Sequence, residues 1–193
     1  MKALLLRDEQ QGIEHHVGVP PRIYENCGLQ KSRIEKAREY VERTLDMPDK
    51  RIVELGCGTG DICGPFAMKH RVHAYDCNSE SLRVCKERFP SAYTYSNVTE
   101  AHRCDTLILC EFLEHVTDPF KIVREWLPLA TNVVISHPLN GDLNGDLSGG
   151  DHQWSYDEAD FFNWFAAGCH TLIEHERFQM GGYEIIIGRG RRA

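Results

Sequence analysis

The sequence predicts an α/β fold built on a doubly wound, mostly parallel sheet of seven strands. Short apolar runs of strand length alternate along the chain with amphipathic segments of helical spacing, as expected when strands and helices take turns. The last two apolar runs are joined by the Gly-containing stretch QMGG, which has the length of a hairpin link. The final two strands are therefore expected to pair antiparallel and to close the sheet.

The elements follow from the same patterns in chain order. The predicted strands are RIVEL (51–55), RVHAYD (71–76), AYTYS (92–96), DTLILC (105–110), NVVISH (132–137), HTLIEHERF (170–178) and YEIIIGR (183–189). Helices are expected at 30–45, 64–70 and 79–89, because apolar residues recur there at helical spacing. Ser79 and Ser81 are the candidate N-terminal caps of the helix at 79–89.

The composition favours a single-domain, soluble protein that does not bind nucleic acid. The chain has 193 residues, which suits a single domain, and its formal net charge of -7 disfavours nucleic acid as a partner. Its eight cysteines include no Cys-x-x-Cys pair, so we interpret them as reduced, buried residues of a cytoplasmic protein. The start MKALLLRDEQ has too short an apolar run for a signal peptide or a membrane span, which predicts a soluble protein without membrane contact.

A glycine-rich turn directly after the first strand is the strongest sequence signal. In ELGCGTGD, Gly56, Gly58 and Gly60 allow backbone N–H groups to approach a ligand without interference from Cβ atoms. A dinucleotide fingerprint would need glycine where Asp61 stands, so binding of a pyrophosphate is disfavoured. Asp76 follows at the end of the second strand, where a carboxylate can accept both hydroxyls of a ribose. The pattern predicts a nucleoside-bearing cofactor without a pyrophosphate.

The stretch CEFLEHV, after the fourth strand, places Glu111, Glu114 and His115 within five positions. A helix that begins near Glu111 would bring the three side chains to one face, because residues three and four apart are neighbours on a helix. Such a face suits a metal ion. Acid/base catalysis and a simple helix start, where carboxylates are favourable, remain open as alternatives.

Together these residues resemble the class I S-adenosylmethionine-dependent methyltransferases. The resemblance rests on the Glu-x-Gly-x-Gly-x-Gly turn, on the acid at Asp76 and on CEFLEHVTDP, and covers residues 30 to 189. It implies a Rossmann-like seven-stranded fold whose last two strands form an antiparallel hairpin, with S-adenosylmethionine as cofactor. It also implies a set of cofactor-binding residues, in which Asp76 holds the ribose and Asn97 takes the adenine-contacting position: Glu54, Gly56, Gly58, Gly60, Asp76, Asn97 and Glu111.

Two subfamilies share the CEFLEHV pattern and imply different chemistry. Many small-molecule methyltransferases carry a similar LEHV-x-DP run without a metal. The small-RNA 3′-terminal 2′-O-methyltransferases use Glu-x-x-Glu-His and a later histidine to hold a divalent metal. Here the later histidine is His152 in DHQWSYDEADFFNW, with His137 as a reserve, although the spacing around His152 differs from that of the RNA enzymes.

We therefore predict a methyltransferase that acts on a small-molecule or nucleotide-like acceptor, with Glu111, Glu114, His115 and His152 as catalytic residues and no metal. In the first alternative these four residues bind a divalent metal in an RNA 3′-terminal 2′-O-methyltransferase. In the second, the protein is a non-catalytic S-adenosylmethionine-binding subunit or sensor.

Two further segments are expected to complete the site. Residues 1–30 form an N-terminal segment that covers the cofactor, with Arg22 and Tyr24 as its candidate contacts, and residues 31–193 form the methyltransferase domain. The duplicated LNGDLNGD, after the fifth strand, is rich in turn residues. We expect residues 140–150 to act as a lid that becomes ordered when cofactor and acceptor bind.

Overall fold

The computed structural model describes residues 4–5, 20–24, 28–97, 101–139, 152–180 and 183–193. Its strands are β1 (Leu4–Leu5), β2 (Arg51–Leu55), β3 (Arg71–Tyr75), β4 (Tyr93–Tyr95), β5 (Cys104–Cys110), β6 (Ala130–Leu139), β7 (Trp154–Ser155), β8 (His170–Met180) and β9 (Tyr183–Arg192). Its α-helices are α1 (Gly28–Glu42), α2 (Ser79–Arg88), α3 (Pro119–Trp126) and α4 (Glu158–Ala167). Short 3-10 helices lie at Gly64–Phe66, Leu113–His115 and Leu127–Leu129.

Seven strands form the main sheet in the order β4-β3-β2-β5-β6-β9-β8. The pairs β2–β3, β3–β4, β2–β5 and β5–β6 are parallel, while β9 pairs antiparallel with both β6 and β8. The predicted fold class, including the closing antiparallel hairpin, is confirmed. Strand order reverses between β2 and β5, and ligands of such sheets bind beyond the carboxyl ends of the strands at this point.

Helices cover both faces of the sheet, and each face has its own apolar core. On one face, Trp126 of α3 and Phe161 and Trp164 of α4 are buried against the sheet. On the other face, Ile34 and Tyr40 of α1 are buried with residues of α2. Trp154 is half-buried beside the first core, so the three tryptophans all lie in this core or at its rim.

Several local predictions differ from the structure. The segment 64–70 forms only a single 3-10 turn over Gly64–Phe66 rather than a helix. The cap of α2 is Asn78, whose side chain accepts hydrogen bonds from the backbone of residues 80 and 81, and neither Ser79 nor Ser81 fills that role. Helix α3, which begins with Pro119 after the cap Asp118, was not predicted.

A second, two-stranded sheet ties the start of the chain to the region before α4. Strand β1 pairs antiparallel with β7, so that Leu4 lies opposite Ser155. None of the helices in the described ranges combines the length and the apolarity needed to cross a bilayer. The predicted lid at 140–150 lies outside the described residues, as does most of the segment 1–30.

Candidate active site

The candidate site lies at the sheet edge where β2 and β5 end, because strand order reverses there. Residues 56–60 follow β2, and residues 111–116 follow β5. The two segments are in contact: a Cβ atom on Gly56 would lie 2.7 Å from Cδ2 of Phe112. The glycine-rich turn and CEFLEHV, which the sequence singled out separately, are therefore parts of one site.

The three glycines of the turn have positive φ angles of 75°, 53° and 77° at Gly56, Gly58 and Gly60. Their surroundings differ. A Cβ atom on Gly60 would meet Sγ of Cys85 at 2.6 Å, so that glycine is needed for packing, as is Gly56 beside Phe112. A Cβ atom on Gly58 would meet no described atom within 4 Å. Gly58 therefore borders open space.

Asp76 lies beside this open space. Its carboxylate accepts hydrogen bonds from the backbone N–H of Gly58, at 2.7 Å, and of Asn78, at 2.8 Å. Each carboxylate oxygen has a second lone pair, so two backbone donors leave capacity for ribose hydroxyls. Asn97 follows β4 and is exposed. It lies beyond the end of the strand that neighbours β3 in the same parallel sheet, and its contact with adenine stays a prediction.

Glu54 lies inside β2 and is 2% exposed, so it lines the turn from within. Its Oε2 accepts a hydrogen bond of 3.0 Å from the backbone N–H of Cys63. Burial raises the pKa of the Glu54 carboxyl to about 8. Glu54 therefore contacts the segment after the glycine turn, and its side chain is too buried to meet a ligand directly.

Asp61 lies in a polar network that holds residues 22–24 against the glycine turn. Its Oδ2 accepts from the backbone N–H of Tyr24 at 2.9 Å, and its Oδ1 accepts from Arg88 at 2.7 Å. The hydroxyl of Thr59 donates to the backbone carbonyl of Arg22 at 3.0 Å. Arg22 and Tyr24, the residues predicted to cover the cofactor, thus lie directly against the turn.

Glu111 occupies a strained position at the end of β5. Its φ angle is 51°, in the left-handed region that residues with a Cβ atom rarely adopt. The carboxylate accepts a hydrogen bond of 2.8 Å from Oγ of Ser136, and the backbone N–H donates to the carbonyl of Ser136. Such strain persists only where neighbours enforce it, and it is concentrated at functional sites. Glu111 is held at the same sheet edge as the glycine turn.

The predicted helix from Glu111 does not form, which corrects the expectation of one shared face. A 3-10 turn covers only Leu113–His115. Of the four residues predicted to be catalytic, three lie together: ligand atoms of Glu114, His115 and His152 are within 4.8 Å of one another. Glu111 is not part of this group of three. Glu114 is fully buried, whereas the two histidines are half-buried, and Nε2 of His115 lies 4.0 Å from the Glu114 carboxylate.

A dense set of hydrogen bonds places His152 beside His115. The backbone carbonyls of residues 113–116 each accept one hydrogen bond from the segment that follows His152, with lengths of 2.7 to 3.0 Å. The donors are the backbone and side-chain N–H groups of Gln153, the indole N–H of Trp154 and the hydroxyl of Tyr156. As a result, the rings of His115 and His152 pack edge to face with centroids 4.8 Å apart.

His137, the reserve ligand, is excluded from this group by its position. It is 0% exposed inside β6, where its ring packs against Tyr156 and Phe161. Burial lowers the pKa of the imidazole to about 4. His137 is a core residue of the face that α4 covers.

Sequence reasoning missed four residues that shape the site: Asp61, Arg88, Ser136 and Gln153. Arg88 and Ser136 lie far along the chain from the groups they contact, and no local pattern marks such pairs. Asp61 carries a sequence signal, because it is a charged residue directly after the glycines, but on its own this position only disfavours a dinucleotide fingerprint. Gln153 lies within DHQW and could have been noted as a neighbour of His152.

The fold and the site are similar to those of class I methyltransferases, with a glycine-rich turn after the first parallel strand of the sheet and polar residues after the fourth. Residues 53–130 match the family model described as "Methyltransferase domain". The predicted resemblance to class I S-adenosylmethionine-dependent methyltransferases, and with it the prediction of an enzyme, is confirmed. A search of curated protein sequences finds no match to the chain.

Solved structures share this fold at low sequence identity. Magnesium protoporphyrin IX methyltransferase from Synechocystis PCC 6803, with bound S-adenosylhomocysteine, has a TM-score of 0.74 at 12% identity, covering 96% of each chain. The N-methyltransferase NodS from Bradyrhizobium japonicum WM9, also with S-adenosylhomocysteine, has a TM-score of 0.73 at 12% identity, covering 94% of this chain and 97% of NodS. The Synechocystis enzyme is also known with bound S-adenosylmethionine. These findings support the predicted cofactor.

A third similar structure is that of the cyclase SpnF, with a TM-score of 0.68 at 11% identity, covering 94% of this chain and 90% of SpnF. The fold therefore also occurs in a protein named for a different reaction. Similarity at this level shows the fold alone, so the acceptor has to be argued from the residues of the site.

Proposed function

We propose that this protein transfers the methyl group of S-adenosylmethionine to a small-molecule acceptor at the edge formed by β2 and β5. The observation that carries the proposal is the open space beside Gly58, bordered by the carboxylate of Asp76. Asp76 would accept the ribose hydroxyls, Gly58 would allow the cofactor to approach the backbone, and Asn97 would meet the adenine. The methionine end would then extend toward Glu111.

The residues after β5 would serve the acceptor. A sulfonium methyl group is a strong electrophile, so the protein mainly has to align the acceptor and exclude water. An acceptor hydroxyl would also have to lose its proton. His115 and His152 are half-buried and lie at the site edge, which makes them the candidate bases. Glu114 is fully buried and would act on His115, stabilising the protonated imidazole rather than touching the acceptor.

We further propose that residues 1–30 cover the cofactor and that residues 31–193 form the catalytic domain. The contacts of Arg22 and Tyr24 with Thr59 and Asp61 support this division, because they join the N-terminal segment to the glycine turn. We also place the protein in the cytoplasm. The seven cysteines in the described ranges are all free, which agrees with a reducing compartment.

The proposal is tested by measuring cofactor binding and turnover separately. Isothermal titration with S-adenosylhomocysteine should give a saturable signal that Asp76→Ala weakens and that the exposed control Asp118→Ala leaves unchanged. Turnover of S-adenosylmethionine is then followed across a panel of small phenols, carboxylates and amines. Binding that is unaffected by Asp76→Ala would contradict the assigned cofactor site. Tight binding without turnover of any acceptor would favour the sensor alternative.

A second candidate is a divalent metal centre at Glu114, His115 and His152. One observation favours it: the three residues each offer a ligand atom, and these atoms lie within 4.8 Å of one another. One carboxylate and two imidazoles suit Mn²⁺, Fe²⁺ or Co²⁺ better than Mg²⁺. The metal would leave coordination positions for acceptor hydroxyls. Glu111, the fourth predicted ligand, is hydrogen-bonded to Ser136 instead, so the proposed centre has three protein ligands.

The metal centre is separated from the preferred proposal by chelation and by direct metal titration. A metal centre predicts that Mn²⁺ or Co²⁺ binds with one-to-one stoichiometry and that His152→Ala abolishes this binding, while His175→Ala, at an exposed histidine of β8, retains it. It also predicts that EDTA abolishes methylation of a ribose-terminated RNA oligonucleotide. Turnover of a small acceptor that is insensitive to EDTA would exclude the metal from the reaction.

A further inference from the structure

A second site is suggested at the opposite edge of the sheet, where the parallel strands begin. Arg51 opens β2, Arg71 opens β3, and Arg103 directly precedes β5. Strand β9 runs antiparallel to β6, so its last residue, Arg192, arrives at this same edge. Because β2 has five residues, the two edges are about 15 Å apart along the strand. The arginines therefore lie away from the cofactor turn.

These four arginines line one open groove of about 410 Å³. The other lining side chains are mostly small or apolar, and Asp105 is the only acidic side chain among them. Such a concentration of guanidinium groups is unusual in a chain whose formal net charge is -7. The volume lies within the range of small-ligand pockets.

Among the described residues, carboxylates near the groove form an ion pair with only one of its four arginines, Arg71. Asp105 is already engaged, since its carboxylate accepts from the backbone N–H of Arg51 at 2.8 Å and lies 3.5 Å from Nζ of Lys50. Arg71 pairs with Asp49 at 3.0 Å. Arg51 and Arg192 donate to backbone carbonyls, of Arg103 and Pro128 respectively. Within the described ranges, no carboxylate lies within ion-pair distance of the guanidinium groups of Arg51, Arg103 or Arg192.

We infer that this groove, lined by Arg51, Arg71, Arg103 and Arg192, binds a small ligand that bears a phosphate or diphosphate group. Guanidinium groups bind phosphate oxygens through paired, charge-assisted hydrogen bonds, and several guanidinium groups around one anion match a multiply charged phosphate better than a single carboxylate. The two carbonyl contacts hold Arg51 and Arg192 in place before the ligand arrives. Binding here does not depend on the methyl-transfer reaction.

The test is titration of the full chain with inorganic pyrophosphate at low ionic strength, without cofactor. Saturable binding is expected. Arg103→Gln, at an exposed side chain, and Arg192→Gln should each weaken it about tenfold, because each removes a charged hydrogen-bonding group. The matched control is Arg83→Gln on α2, an exposed arginine that pairs with Glu80 and Glu87, and it should change the affinity less than about twofold.

Three results would overturn the inference. Absence of saturable pyrophosphate binding removes the site, and an equal loss in Arg83→Gln shows only diffuse charge attraction. An RNA oligonucleotide that binds through Arg103 more tightly than pyrophosphate would instead assign the groove to a nucleic-acid backbone. Affinity for S-adenosylhomocysteine is measured in parallel and should be unchanged in both groove variants. This readout separates failure of the groove from failure of the proposed cofactor site.

Discussion

Replacing Gly58 with alanine should weaken cofactor binding by more than the loss of folding stability alone would explain. The new Cβ atom meets no described atom within 4 Å, so it does not clash with the described part of the protein. The φ angle of 53° imposes strain on alanine, which costs about 1–2 kcal/mol of folding free energy. If the open space beside Gly58 receives the cofactor, the methyl group overlaps with it.

The expected loss of affinity follows from the cost of overpacking. One extra methyl group in a well-packed contact costs about 1–3 kcal/mol, which corresponds to about a 5- to 150-fold increase in the dissociation constant. Calorimetric titration with S-adenosylhomocysteine measures the affinity, and urea unfolding measures the stability. Gly28→Ala serves as the control. The new Cβ atom at position 28 also meets no described atom within 4 Å, and Gly28, the first residue of α1, has no positive φ angle.

A dissociation constant that is unchanged in Gly58→Ala would refute this reasoning, since the open space could not then be the cofactor site. If the stability falls while the affinity is unchanged, the glycine serves only the turn.

Three further predictions concern the groups around the glycine turn. The pKa of Glu54 is raised to about 8 in the folded protein, against about 4.3 in the unfolded chain. The contribution of Glu54 to the free energy of unfolding is therefore fully present below about pH 4.3 and is lost as the pH rises to about 8. Between pH 5 and 8, the free energy of unfolding measured in urea should fall with pH less steeply in Glu54→Gln than in the wild type, by up to about 1.4 kcal/mol per pH unit. Plots of unfolding free energy against pH that run parallel for the two proteins would contradict this. Asp61→Ala should release the segment at Tyr24, seen as faster amide exchange there, while Asp118→Ala should not. Ser136→Ala should remove the hydrogen bond that holds the Glu111 carboxylate, lowering turnover more than cofactor affinity; equal losses of both would instead place Glu111 at the cofactor.

The local parts of the fold and site followed from local patterns. Apolar runs predicted the strands because a buried parallel strand needs apolar side chains on both faces, and the glycine turn was visible because three close positions require positive φ angles. Helix α1 and the C-terminal hairpin were predicted for similar reasons. The 3-10 turn at 64–66 and the cap Asn78 were missed, because neighbouring residue types offered equally good local alternatives.

What the sequence alone determined was the order of the strands along the chain, the glycine turn and the acid at Asp76, since each depends on residues close together in sequence. Only the tertiary structure decided which distant groups meet. Hydrogen bonds from residues 153–156 to four backbone carbonyls bring His152 beside His115. Glu111 is held against Ser136, outside the group that the two histidines form with Glu114. The tertiary structure also gathered four arginines from separate strand ends at one edge. Parallel strands bring their ends together whatever their separation along the chain, so these groupings leave no local signature in the sequence.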